Sequence, residues 1–188
     1  MDDLAELHDQ ALETTGRVVS GVAPDRWEAA TPCAEWNARE LVNHLVTGNL
    51  WAAELAAGAT IADVGDRLDG DVLGTDPAAT YDQSARAASA VFHRPGAMDA
   101  PCAVSYGPVP GSIYAGHRFL DVLVHGWDLA VASGQDPTLD GSLVQGCLAV
   151  VEPQAEMLHA SGMFRDDVTA PTDARSQTRL LALLGREG

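Results

Sequence analysis

The stretch Ser112-Ile113-Tyr114-Ala115-Gly116-His117-Arg118-Phe119-Leu120-Asp121-Val122-Leu123-Val124-His125-Gly126-Trp127-Asp128-Leu129-Ala130-Val131-Ala132-Ser133-Gly134 decides the fold. Ser112 has the chemistry of an N-cap and Gly134 that of a helix stop, so one long helix is expected between them. At about 100° per residue, Phe119, Leu120, Leu123, Val124, Trp127 and Val131 cover most of its circumference. His117, Asp121, His125 and Asp128 share about one quarter of it. A helix that is apolar almost all round is buried among other helices, and its polar stripe then faces something specific inside the bundle.

Upstream, Asp2 or Asp3 caps a helix from about Leu4 to Val19, with Leu4, Leu7, Leu12, Val18 and Val19 apolar and His8 expected on the surface. Trp27 and the run Thr31-Pro32-Cys33-Ala34-Glu35-Trp36 predict chain packed against a core instead of a free linker. Asn37 and Glu40 have capping-box spacing and open a helix to about Ala57 that carries Leu41, Val42, Leu45, Val46, Leu50 and Trp51, with His44 framed by Leu41 and Leu45. Asp63 to Asp76 reads as a mobile acidic loop. Asp76-Pro77 is a cap followed by proline at the first helical position, starting an Ala-rich helix to about Phe92. Met98 to Gly111 allows an extended segment or small hairpin. Beyond Gly134, a helix over about Gly141 to His159, kinked at Pro153, and a last short helix over Ala174 to Gly185 complete the chain. The fold class is all-α: an antiparallel four-helix bundle with short additional helices and a minor extended segment, as one domain over residues 1–188.

Composition removes several function classes. A net charge of -16 opposes a phosphate-binding surface, so nucleic acid is not an expected partner. All eleven basic residues are Arg, which excludes a Schiff-base or Walker-type lysine. Cys33, Cys102 and Cys147 form neither a disulfide framework nor a Cys-x-x-Cys site, and Cys33, with no base at recognisable spacing, is expected to be a packed thiol before a nucleophile. The acidic N-terminus lacks the basic-then-apolar pattern of a signal peptide, and no apolar run reaches membrane-spanning length, so a cytoplasmic protein without a membrane partner is expected.

Asp121 and His125 stand four apart, one helical turn on the same face. Two such groups in an apolar setting need a partner for their desolvation, and a divalent metal is one. His44 is suited by type and context to supply a third ligand from a facing helix, and an Asp/His/His set leaves positions for water or substrate. The same spacing equally serves a charge-assisted Asp–His pair, with His44 a satisfied core histidine. His117 and Asp128 are expected to support the ligands or to pair with Arg118.

Taken together, Thr31-Pro32-Cys33-Ala34-Glu35-Trp36-Asn37, Arg39-Glu40-Leu41-Val42-Asn43-His44-Leu45-Val46 and Asp121-Val122-Leu123-Val124-His125-Gly126-Trp127-Asp128-Leu129-Ala130 resemble a known group. They are similar to the actinobacterial metal-binding proteins of the DinB/YfiT-like superfamily, among the relatives of mycothiol-dependent maleylpyruvate isomerase. The resemblance spans nearly the whole chain. It implies a four-helix bundle holding zinc or nickel through His44, Asp121 and His125, with Asp121 a shorter carboxylate than the residue often found there. It also implies mycothiol or another low-molecular-weight thiol, kept as thiolate to attack a small electrophile. The isomerase carries a further C-terminal domain that this chain, ending at Gly188, lacks, so isomerisation of maleylpyruvate itself is not expected. The leading expectation is a metal-dependent, thiol-using transferase or isomerase of small molecules. Its rivals are a bundle that only sequesters a small ligand or metal, and a structural bundle that pairs with a second copy.

Overall fold

The computed structural model describes residues 3–160, 165 and 167–188, with the backbone alone at 158–160. The chain forms two compact units, Met1–Asp136 and Pro137–Gly188. In the first, α1 (Leu4–Ser20), α2 (Ala38–Leu55), α4 (Pro77–Phe92) and α5 (Gly111–Ser133) make the bundle. A one-turn α3 (Ile61–Val64) interrupts the link from α2 to α4, and the hairpin β1 (Pro101–Val104) and β2 (Gly107–Pro110) joins α4 to α5. The all-α bundle with a minor extended segment is therefore what forms.

α1 neighbours α5 and α4, and α2 neighbours the same two helices. Thr15 reaches Val122 and Gln135 reaches Val18, so α1 and α5 run the same way. His8 meets Phe92 while Tyr81 meets Leu12, so α1 and α4 run in opposite directions. His44 faces Asp121 while Asn49 faces Arg118, so α2 and α5 are antiparallel. The order is up, down, down, up. Because α2 and α4 share a direction, residues 56–76 must carry the chain back along the bundle.

Side-chain periodicity explains which faces close. Leu41, Val42, Leu45 and Val46 of α2 and Phe119, Val122, Leu123 and Leu129 of α5 are almost wholly buried. Each such large apolar side chain contributes roughly 1.5–3 kcal/mol on burial. Gly126 brings α1 against α5: a Cβ there would sit 2.2 Å from Thr15 Oγ1, and the Thr15 hydroxyl donates to the Val122 carbonyl at 3.0 Å. Gly134, with φ of 75°, ends α5 in the left-handed conformation.

Several expectations need correction. His8 is not on the surface but 0% exposed. It falls on the face of α1 with Leu7, Ala11, Leu12 and Thr15, where its ring edges Phe92. Ser112 does not cap α5, which begins at Gly111 with no side-chain cap. The amide N–H groups of Gly111 and Ser112 donate instead to the carbonyls of Ala100 and Met98. The segment 63–76 is pinned to α2. Arg39 bonds Asp71 at 2.7 Å, Asn43 both donates to the Gly70 carbonyl and accepts from the Val72 amide, and Val64 and Leu73 are buried. Asp3 is the N-cap of α1, and Asp2 lies outside the described residues. Val131 is exposed.

In the second unit, α6 (Gly141–Val151) breaks at Pro153 through a 3-10 turn, Glu152–Gln154, into α7 (Ala155–Ala160). The closing helix α8 (Ser176–Leu183) packs on α6, where Leu143, Cys147, Leu148, Leu180 and Leu181 are buried. No described helix is long and apolar enough to cross a membrane.

Candidate metal centre

Two local devices set the α2 side of the site. Asn37 accepts from the Glu40 amide, and the Glu40 carboxylate accepts from the Asn37 amide, so α2 starts at a defined residue and His44 emerges facing α5. Just before that cap, Thr31 Oγ1 lies 2.8 Å from the carbonyls of both Cys33 and Trp36. The loop so held lays Trp36 back over α2: its indole stacks on His44 at 4.3 Å and meets His125 edge-on at 5.6 Å.

His44, Asp121 and His125 come together, each offering one ligand atom, with all three atoms within 4.8 Å of one another. Asp121 Oδ1 lies 3.2 Å from His44 Nε2 and 3.5 Å from His125 Nε2. Donor atoms arranged tetrahedrally at ~2.1 Å from a common zinc ion stand about 3.4 Å apart, so the two distances to Asp121 Oδ1 are those such an ion requires. The donor set of two imidazoles and a carboxylate suits zinc and its neighbours. Solvent reaches the site, since the side chains of His44 and Asp121 are 32% and 26% exposed. His125 is nearly buried at 9%.

Second-layer bonds orient these groups. His125 Nδ1–H donates to Asp128 Oδ2 at 2.9 Å, and Asp128 is 0% exposed. That bond fixes the tautomer and leaves the Nε2 lone pair turned toward Asp121. His44 Nδ1 makes no hydrogen bond among the described residues, so its ring is oriented by the Trp36 stack and by the contact of its Nε2 with Asp121. Burial pushes the Asp121 pKa up, but the Arg118 guanidinium, joined by His125 and His44 when their rings are protonated, outweighs it and holds the carboxyl well below its usual range. Asp121 is therefore ionised and ready to bind a cation.

His117, on the same stripe, is not part of the cluster: the Tyr106 hydroxyl lies 2.6 Å from its Nδ1, tying the hairpin to α5. Cys33 is half-buried and not among the clustered ligands. Burial pushes the Cys147 thiol up to about 12, which removes it as a nucleophile. Sequence reasoning missed Trp36 and the bond from Arg118 to Asp121. Trp36 immediately precedes the cap of α2, the position whose side chain folds back onto the first turns of a helix, and this was the available signal. A cleft of about 700 Å³ opens beside the centre, lined by Trp36, Arg39, Asn43, His44, Thr47 and Asp71 among others.

A family model described as the mycothiol maleylpyruvate isomerase N-terminal domain matches residues 8–130. Proteins from two strains of Mycobacterium tuberculosis, both described as uncharacterized, are each 34% identical over 191 residues. The alignments cover 99% of this chain and 98% of theirs. No solved structure matches the chain.

Proposed function

The chain belongs to the mycothiol maleylpyruvate isomerase N-terminal domain family, and on that premise we propose that it is a cytoplasmic protein that binds a divalent ion, zinc or nickel, through His44, Asp121 and His125. With a low-molecular-weight thiol such as mycothiol, it transfers the thiol to a small electrophilic molecule or isomerises that molecule. The convergence of the three donor atoms within 4.8 Å carries the proposal. When bound, an ion of this class lowers the pKa of a thiol brought to it and so supplies a thiolate nucleophile at neutral pH.

The chain's own residues account for the rest. Three single-atom donors leave room beside the centre for a thiol, and the partial exposure of His44 and Asp121 gives it a way in. Asp128 holds the His125 ring, and Trp36 covers one side of both imidazoles, restricting water there. The adjoining cleft has the volume of small-molecule sites. Its Thr47 offers a hydrogen-bonding group to a polar ligand.

The test is metal analysis of untagged protein, followed by uptake by His44→Ala and His125→Ala, then thiol-dependent consumption of a generic electrophile. One equivalent of metal, lost in both variants, with turnover abolished by Asp121→Ala, is expected. Absence of a stoichiometric ion, with uptake unchanged in the variants, refutes metal binding. Metal binding without any thiol-dependent turnover replaces catalysis with ligand sequestration.

A further inference from the structure

Asp121 presents its two oxygens to different partners. Oδ1 faces the two imidazoles, while Oδ2 accepts a hydrogen bond from Arg118 Nη1 at 2.9 Å. The guanidinium is not a loose surface charge, since Arg118 is 7% exposed. Its Nη2 donates to Asn49 Oδ1 at 3.3 Å, and Asn49, itself buried, donates to Ser84 Oγ at 3.2 Å. The Ser84 hydroxyl donates in turn to the Tyr81 carbonyl at 2.8 Å. One polar chain thus runs from α4 through α2 to the carboxylate on α5. Gly48 supplies the space for it, because a Cβ there would lie 2.3 Å from Arg118 Nη1.

We infer that Arg118 is a positioning residue that reserves Oδ2 of Asp121, makes this carboxylate a one-oxygen ligand, and so biases the site toward divalent ions of low coordination number. The inference rests on the proposed metal binding by His44, Asp121 and His125. A carboxylate that chelates must turn both oxygens to the ion, which here would strand a buried guanidinium without its counter-charge. With Oδ2 reserved, the protein supplies three donor atoms, a number that suits zinc. Ions that demand a larger, oxygen-rich shell, such as Mn²⁺, gain from a fourth donor. The guanidinium also repels any bound cation, but it repels all divalent ions alike, so a ratio of two affinities isolates the positioning effect.

The experiment measures the dissociation constants of Zn²⁺ and Mn²⁺ for the full chain by chelator competition, together with the visible spectrum of the Co²⁺-loaded protein, whose intensity falls as coordination number rises. In Arg118→Met the preference for Zn²⁺ over Mn²⁺ should fall at least about tenfold, the lower end for outer-layer substitutions, and the Co²⁺ bands should weaken. Arg118→Lys, which keeps a cationic donor near Oδ2, should recover part of both. Gly48→Ala displaces the guanidinium without removing it, should move both readouts the same way, and decides the matter if Arg118→Met does not fold. An unchanged ratio and spectrum in folded Arg118→Met, or in Gly48→Ala where that variant decides, overturn the inference while leaving metal binding intact. Failure of the wild type to take up any of the three ions overturns the metal proposal and this inference with it.

Discussion

Replacing His8 by Leu should remove the part of the acid sensitivity of the fold between about pH 7 and pH 5 that this buried imidazole causes. His8 is 0% exposed, and neither ring nitrogen has a hydrogen-bond partner among the described residues. Burial, with Arg118 and His93 acting in the same direction, lowers its pKa from 6.5 to about 3. Between those values the unfolded chain binds a proton that the folded chain refuses, so the stability is fully present above the unfolded pKa and is lost as pH falls toward the folded one. At about 1.4 kcal/mol per pKa unit, the step from pH 7 to pH 5 removes about 2 kcal/mol through this residue. For a chain of this size that is a fall in Tm of about 4–8 °C. Leu has similar bulk, nothing to titrate and no polar atoms to strand, so the variant should match or exceed the wild type at neutral pH and lose less Tm than the wild type on acidification. Thermal denaturation followed by circular dichroism at matched ionic strength provides the measurement. Equal losses in the two proteins across this window would refute the reasoning, because His8 would then be accepting its proton inside the fold.

Asp128→Asn should weaken zinc affinity by about 10- to 100-fold with little change in fold, since an amide cannot hold the His125 tautomer as a carboxylate does; chelator competition reads this directly. Gly126→Ala should cost about 1–3 kcal/mol in urea denaturation, because its new methyl meets the Thr15 side chain that bonds Val122. Nickel should quench tryptophan emission, and Trp36→Phe should remove that quench, since Trp36 stacks on His44. Zinc at about 100 times its dissociation constant should raise stability by about 2.7 kcal/mol, reversed by chelation; an unmoved Tm would contradict binding to the folded state.

What could be read from residues alone divides along a physical line. Gly134, Asp76-Pro77, Asn37 with Glu40 and Pro153 act through local backbone geometry, and each marks a helix boundary or break that the structure contains. Asp121 and His125 share a face because helical pitch demands it. That His44 meets them depends on how α2 registers against α5, 77 residues away in the chain, which periodicity does not encode; residue type and context point to His44, and the family likeness implies it. At His8 residue type and helical position point opposite ways: imidazole favours the surface, but the position lies on the apolar face of α1 and is buried. By charge and helical spacing alone, Arg118 can pair with His117 or Asp128 as readily as with any other polar group of the stripe. Its true partner is Asp121, on the same helix at a spacing of three, with Gly48 making the room.

The centre and its cleft are built from different kinds of chain. His44, Asp121 and His125 project from the middles of α2 and α5, whereas much of the adjoining cleft, including Glu28, Trp36 and residues 68–71, belongs to connecting segments. Helix interiors tolerate little change without loss of packing, while connecting segments drift freely. The candidate ligands and the cleft wall are therefore separately inheritable in this architecture: related chains can alter two loops that line the cleft and still keep the same three candidate ligand residues beneath them.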